Sequence, residues 1–183
     1  MVERKSQHSQ NSEYSYQLPP SLELGDAKLP INKDCIFCEM LISKGNMVYE
    51  DDLVYVFKDI DPDAQYHYQM IPKWHIKNLA QLNSENALHR HLVSHFYDKG
   101  FSLVKMLHPD LINSDIAQIK DADADLLRIG FHRPKCTSID HLHMHMMVGK
   151  RKWKASWQFC WLFYRSISDV KSELVDKAKV AKL

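Results

Sequence analysis

The chain has 183 residues, with 24 Lys and Arg against 23 Asp and Glu and a formal net charge of +1. That balance supplies no whole-protein basic field of the kind that drives nucleic-acid binding, so a small-molecule substrate is favoured over nucleic acid. No stretch approaches the ~20 apolar residues of a membrane span, and Met1–His8 has no apolar signal core, so no membrane partner is expected and the expected location is cytoplasmic or nuclear.

In chain order, residues 1–30 are rich in Ser, Gln, Glu and Pro without apolar periodicity, which predicts a disordered leader. One domain is expected over 31–149, long enough to bury a real core, followed by a C-terminal extension over 150–183 that packs on it. Cys35 and Cys38 stand about one turn apart at its start, and Cys38–Ile42 reads as a short helix. In a reducing compartment four cysteines argue for a metal or thiol role rather than a disulfide framework, but a lone pair needs partners.

Met47–Glu50 and Leu53–Lys58 are β-rich runs around the acidic turn Asp51-Asp52, a hairpin pattern. Pro62 stops the second strand and leaves Asp59 at its exit. A carboxylate there is either a turn former or an acceptor for two adjacent ribose hydroxyls. His67–Pro72 reads as a third strand leading into Lys73-Trp74-His75. After a cap at Asn83-Ser84 the spacing of Leu88, Leu92, Phe96, Leu103 and Leu107 predicts a helix over 85–107, with Gly100 a weak point costing ~1 kcal/mol. His89, His91 and His95 are expected at its surface or rim.

Residues 109–123 read as a loop and Leu126–Phe131 as a fourth strand. The next strand carries His141-Leu142-His143-Met144-His145-Met146-Met147. Alternation puts the three imidazoles on one face, about 7 Å apart, over an apolar back. They could be a plain solvated face, the ligands of one metal, or a surface for handling charge. Lys150–Lys154 reads as a basic turn, and Trp153, Trp157 and Trp161 form one stripe if helical, packed on the domain or on a partner. A C-terminal helix is expected from Ser166.

The histidine run resembles the His-φ-His-φ-His-φ-φ signature of the histidine-triad (HIT) nucleotide hydrolases and transferases. Further motifs occur in the same order: Phe57-Lys58-Asp59-Ile60, His67 before Ile71-Pro72-Lys73-Trp74-His75, and Ser138 ahead of the triad. Gly130-Phe131-His132-Arg133-Pro134 and the aromatic-rich extension place the resemblance among the adenosine phosphoramidases. It implies an α+β HIT fold: an antiparallel sheet of about five strands, one main helix and a C-terminal helix.

The resemblance also implies site roles. His143 would attack the α-phosphorus of an AMP phosphoramidate or acyl-adenylate, giving a covalent AMP-histidine that water hydrolyses. His145 would contact phosphate oxygens and Ser138 the leaving group or a phosphate oxygen. Asp59, with Ile60 beside it, would bind the nucleoside, His67 would orient the triad from behind, and His141 would complete the substrate pocket. Gly130 stands where several relatives have an Asn on the leaving-group side. Some relatives hold a structural zinc through residues matching Cys35, Cys38, His75 and His141; no organic cofactor is implied. A homodimer through the helix and a sheet edge is expected.

Two other functions compete. An aprataxin-like DNA deadenylase shares the Gly-aromatic-His segment, but its C-terminal zinc finger has no counterpart spacing here, where only Cys160 follows the triad. A nucleotide-binding or scaffolding module would not need hydrolysis, although all three histidines are present.

Overall fold

The computed structural model describes residues 30–112, 126–153 and 159–176. The leader, most of the expected 109–123 loop, Trp157 and the end of the C-terminal helix lie outside the described residues.

Helix α1 spans Ile36–Ser43. It is followed by β1 (Met47–Glu50), β2 (Val54–Lys58), β3 (Ala64–Pro72) and the long helix α2 (Ala87–Leu107). Then come β4 (Leu127–His132), β5 (Met144–Arg151), β6 (Tyr164–Ser166) and α3 (Ile167–Lys171), which runs on as a wider turn over Ser172–Asp176. All strand pairs are antiparallel, in the order β1-β2-β3-β5-β4-β6.

The expected α+β layout is present with six strands rather than about five. The additional strand, β6, lies in the C-terminal extension and covers the β4 edge through Gly130–His132, while α3 packs against α2. The histidine-bearing strand β5 itself runs past the expected 149/150 boundary to Arg151.

Local chemistry accounts for the elements. Asp51 accepts from the backbone N–H of Leu53 at 2.9 Å and Val54 at 3.0 Å, which closes the β1–β2 hairpin. Its other oxygen meets His95 Nε2 of α2 at 2.8 Å, so this rim histidine also ties the hairpin to the helix. Burial raises the Asp51 carboxyl, but His95, Leu53 and Tyr49 together hold it well below the usual carboxylate range. The cap of α2 is Asn86 rather than Asn83-Ser84: its side chain accepts from Leu88 N and His89 N at 2.9 and 3.3 Å.

The main core lies between α2 and one sheet face, where Leu92, Phe96, Met144 and Met146 are fully buried; each contributes about 1.5–3 kcal/mol. Gly100 is a contact point rather than a defect. A Cβ there would come within 2.9 Å of Met144 Cε and 3.4 Å of Ile129 Cγ2, so its absence lets α2 lie close on β4 and β5. A second cluster under α1 holds Cys35, Phe37, Cys38, Tyr55, Phe57 and Ile71. A third, on the opposite sheet face, joins Ala64, Met147, Phe159 and Tyr164.

Two expectations are corrected. β5 begins at Met144, so His141 and His143 precede the strand. The β3 ladder ends at Met70 opposite Met144, and Leu142 N donates instead to Ile76 O at 2.6 Å. Two members of the tryptophan stripe do not pack on the domain: Trp153 and Trp161 are 83% and 78% exposed, which leaves packing on a partner as the surviving alternative for them. Around Trp161 the backbone is committed to a turn, with Phe163 N and Tyr164 N both donating to Cys160 O, and it leads into β6.

Candidate active site

Two side-chain clusters meet at the 141–145 run. The first contains His141, 0% exposed, whose Nδ1 lies 3.4 Å from Cys35 Sγ and 3.5 Å from Cys38 Sγ. Cys38 Sγ lies 3.5 Å from His75 Nδ1. One donor atom from each of Cys35, Cys38, His75 and His141 falls within 4.8 Å of all the others. A tetrahedral zinc with bonds near 2.3 Å to sulfur and 2.0–2.1 Å to nitrogen has S···N edges of about 3.5 Å, so these four donors fit that ion.

The protonation states fit as well. His141 Nε2 donates to Pro72 O at 3.3 Å, which leaves Nδ1 as a lone pair toward the thiols. Burial lowers the His141 imidazole to about 3, keeping it neutral, while burial and the neighbouring Cys35 push the Cys38 thiol up to about 11. A cation between them would favour the thiolates. Cys35 caps the start of α1 and Cys38 lies in its first turn, the segment after β3 supplies His75, and the start of the triad supplies His141.

The second cluster opens into a cavity of about 710 Å³. On one side its wall is apolar, with Ile36 and Phe37 from α1, Phe57 from β2 and Ile139. Phe37 meets the His143 ring edge-on at 5.5 Å. Asp59 stands at the β2 exit and lines the cavity. Its oxygens accept from Gln69 Nε2 at 2.6 Å and Asp61 N at 2.9 Å, so it is a turn former whose carboxylate also faces the ligand space. Ile60 is at the rim with its side chain 86% exposed. Ser138, also exposed, lies on the wall ahead of the triad.

At the cavity floor, His143 Nδ1 donates to His141 O at 2.6 Å, which leaves Nε2 with its lone pair. His145 packs edge-on against it, ring centroids 5.0 Å apart. His67 Nε2 and His145 Nδ1 are 2.8 Å apart, and His67 also lines the cavity. His145 Nε2 is buried and has no hydrogen-bond partner in the described protein. Burial lowers His67, His143 and His145 below the usual imidazole range, and for His67 it outweighs the nearby Asp59 and Asp63 charges. The floor is a set of neutral imidazoles.

The expected three-histidine face is therefore divided. His143 and His145 face the cavity, while His141 joins the cysteines and touches the cavity cluster through its carbonyl. Nothing about strand alternation alone separates these roles.

Among the cavity residues that carried no role in the sequence, His132, Phe159 and Phe163 form one wall. His132, on β4, lines the cavity with its ring 4.8 Å from that of His145, and its Nδ1 donates to Phe163 O at 3.4 Å. Phe159, 2% exposed, packs against His132, His145 and His67 with centroids 4.6, 5.1 and 6.1 Å apart. Arg128 holds its carbonyl. Phe163 completes this wall. The alternation Arg128, Gly130, His132 on β4 was the signal available for His132.

Gly130 is required for close approach. A Cβ there would meet Arg165 O at 2.1 Å and Tyr164 Oη at 2.6 Å. Tyr164 fills the space beside Gly130, and burial raises its phenol well above the usual range.

Comparison with known proteins gives a consistent family. Residues 34–158 match the family described as scavenger mRNA decapping enzyme C-term binding. The bifunctional adenosine 5'-phosphosulfate phosphorylase/adenylylsulfatase HINT4 of Arabidopsis thaliana is 36% identical over 129 residues, covering 68% of this chain and 78% of that protein. The adenosine 5'-monophosphoramidase HINT3 of Danio rerio is 31% identical over 123 residues, covering 64% and 66%.

Among solved structures, a HIT family hydrolase from Clostridium thermocellum superposes with a TM-score of 0.50 at 25% identity, covering 64% of this chain and 92% of that one. The aprataxin ortholog Hnt3, solved in complex with DNA, gives 0.52 at 21% identity, covering 76% and 72%. At that identity the likeness is one of fold.

Proposed function

The chain belongs to the histidine-triad family and is a nucleotide hydrolase of that type, and on that premise we propose that it cleaves AMP phosphoramidates and acyl-adenylates through a covalent AMP-His143 intermediate. The observation that carries this reading is the His143 Nδ1 bond to His141 O at 2.6 Å. It presents a neutral Nε2 lone pair to a cavity with an apolar wall and a carboxylate.

In this reading the adenine lies against Phe37, Phe57 and Ile139, and Asp59 accepts from the ribose hydroxyls. His143 Nε2 attacks the α-phosphorus and the P–N or P–O bond to the leaving group breaks. An amine departs with a proton supplied by an N–H donor in the cavity or by water, and a carboxylate departs as its anion. Water then attacks the same phosphorus, the bond to His143 breaks, AMP is released and a proton passes to solvent. His145 and Ser138 stabilise charge on the phosphate oxygens.

Zinc is proposed for Cys35, Cys38, His75 and His141, where it would supply no chemistry to the phosphate and would fix α1 to the catalytic run. A homodimer fits this reading only through surfaces other than the β4 edge and the α2 side occupied by β6 and α3.

Intact-mass spectrometry with an AMP phosphoramidate tests the proposal. A transient AMP adduct on the wild type, absent from His143→Ala, with AMP released, is the expected result. Neither adduct nor AMP from the wild type would move the reading to a nucleotide-binding module.

A second reading, hydrolysis of adenylylated DNA ends, is favoured by the exposed Trp153, which follows the exposed Lys150 and Lys152 in sequence, and by the exposed Trp161. Exposed rings and cations of this kind suit single-stranded nucleic acid. Salt-dependent binding of nicked adenylylated DNA would support it, and no binding at low salt would remove it.

A further inference from the structure

We infer that the backbone N–H of Asp63 sets the hydrogen-bond direction of the catalytic floor, fixing His67 and through it His145 as Nε2–H tautomers, so that His145 offers the cavity a proton donor. This deepens the proposed hydrolase reading and rests on it for its consequence in catalysis, but the tautomer assignment stands on geometry alone.

Asp63 N lies 3.1 Å from His67 Nδ1 with hydrogen-bond geometry. A backbone amide can only donate, so His67 Nδ1 must be the acceptor and, in a neutral ring, Nε2 carries the hydrogen. His67 Nε2 is 2.8 Å from His145 Nδ1. That hydrogen therefore points at His145 Nδ1, which must accept, and the His145 hydrogen moves to Nε2. His145 Nε2 is the ring atom that is buried and without a partner in the described protein. An N–H held there, with its direction chosen before substrate arrives, is a preorganised donor for a phosphate oxygen or a departing amine.

A competing arrangement is present at the same ring. Asp59 Oδ2 lies 3.5 Å from His67 Nδ1. If His67 instead donated from Nδ1 to Asp59, its Nε2 would accept from His145 Nδ1–H, and His145 would show the cavity a lone pair. Two observations favour the amide. Its contact is shorter by 0.4 Å, and Asp59 Oδ2 is already engaged by Gln69 Nε2 at 2.6 Å. The same logic sets His143 the other way: its Nδ1 donates to the His141 carbonyl, so His143 shows the cavity a lone pair. A carbonyl and an amide, one on each side of the floor, thus make one histidine the nucleophile and its neighbour the donor. Asp63 acts through His67 and is a positioning residue.

The test is long-range ¹H–¹⁵N correlation of the imidazoles in the full-length wild type at neutral pH, with His67 and His145 assigned by single substitution. The expected pattern is Nε2–H for His67 and His145 and Nδ1–H for His143. His67 or His145 found as Nδ1–H overturns the inference without touching the hydrolase reading. The expected tautomers in a protein that releases no AMP would instead sink the hydrolase reading alone.

A variant pair adds a readout that packing would not move. His67→Gln can still donate to His145 Nδ1 and keeps kcat within about 10-fold of wild type. His67→Leu cannot donate to His145 Nδ1, leaves the His145 tautomer unset and lowers kcat by about 10²-fold or more with KM little changed. Equal losses in kcat for both, with His145 unchanged in tautomer, would also count against the inference.

Discussion

In the cysteine cluster the Nδ1 atom of His141 faces thiols at 3.4 and 3.5 Å and its Nε2 is tied to Pro72 O. Two residues later the polarity is reversed: His143 Nδ1 is tied to a carbonyl and its Nε2 is open to the cavity. Both rings are buried and neutral. In the proposed reading, what separates the zinc ligand His141 from the nucleophile His143 is which ring nitrogen the backbone has claimed, and the claim is made by single carbonyls.

The comparison can be broken most strongly at His143. His143→Ala is expected to lower kcat for an AMP phosphoramidate by about 10³-fold or more, while metal analysis finds the cysteine cluster still loaded. Loss of metal in this variant would mean that the two clusters are one unit. Cys38→Ser tests the other side: it removes one of four donors, so bound zinc is lost and stability falls by about 3 kcal/mol, near 10 °C in Tm. Unchanged metal content and Tm would return Cys35 and Cys38 to the role of ordinary core thiols.

Gly130→Ala acts on the cavity side alone. The added Cβ would stand 2.1 Å from Arg165 O, so β6 must shift, at a cost of about 1–3 kcal/mol. Thermal unfolding should register that loss while zinc content stays constant.

Acidification sharpens the same contrast. His67 and His145 titrate below their ordinary value because burial disfavours the charged ring. Below about pH 6.5 the unfolded chain therefore binds protons that the fold refuses, and stability falls with pH. The stabilisation is whole above that value and is lost as the pH drops toward the folded-state values. Urea titrations at pH 7 and pH 5 should show the lower midpoint at pH 5, and a reversed order would contradict the neutral floor. The smallest effect is expected at Lys77–Asp140, a 3.1 Å pair with side chains 51% and 64% exposed. Lys77→Ala should change stability by less than about 1 kcal/mol, although Asp140 precedes His141.

Much of this arrangement was legible in the sequence. Short β-rich runs bounded by turns and prolines located β1, β2, β3 and β4, and the regular spacing of Leu88, Leu92 and Phe96 located α2. Chemistry-bearing residues in an unusual pattern, Cys35-x-x-Cys38 and the histidine run, marked both clusters. Other parts were not legible, for physical reasons. β6 is three residues, too short for any period, and its place on the β4 edge depends on a space left by Gly130 a long way upstream. Phe159 and His132 reach the cavity by tertiary packing across β4 and the extension, which no local pattern encodes. The tryptophan spacing suggested a helix, but at its end the backbone turns, with Phe163 N and Tyr164 N donating to Cys160 O, and enters the β6 ladder.

The wall formed by Phe159 and Phe163 has a consequence for the order in which the protein becomes competent. The four imidazoles that line the cavity, His67, His132, His143 and His145, and the cluster of Cys35, Cys38, His75 and His141 all precede Phe159, while the aromatic wall and the strand that anchors it come after β5. A nascent chain halted before Phe159 would carry every reacting group and have one side of its cavity open to water. Completion of the site is thus tied to completion of the polypeptide, and a truncated product would be an exposed, unselective imidazole array rather than a smaller enzyme.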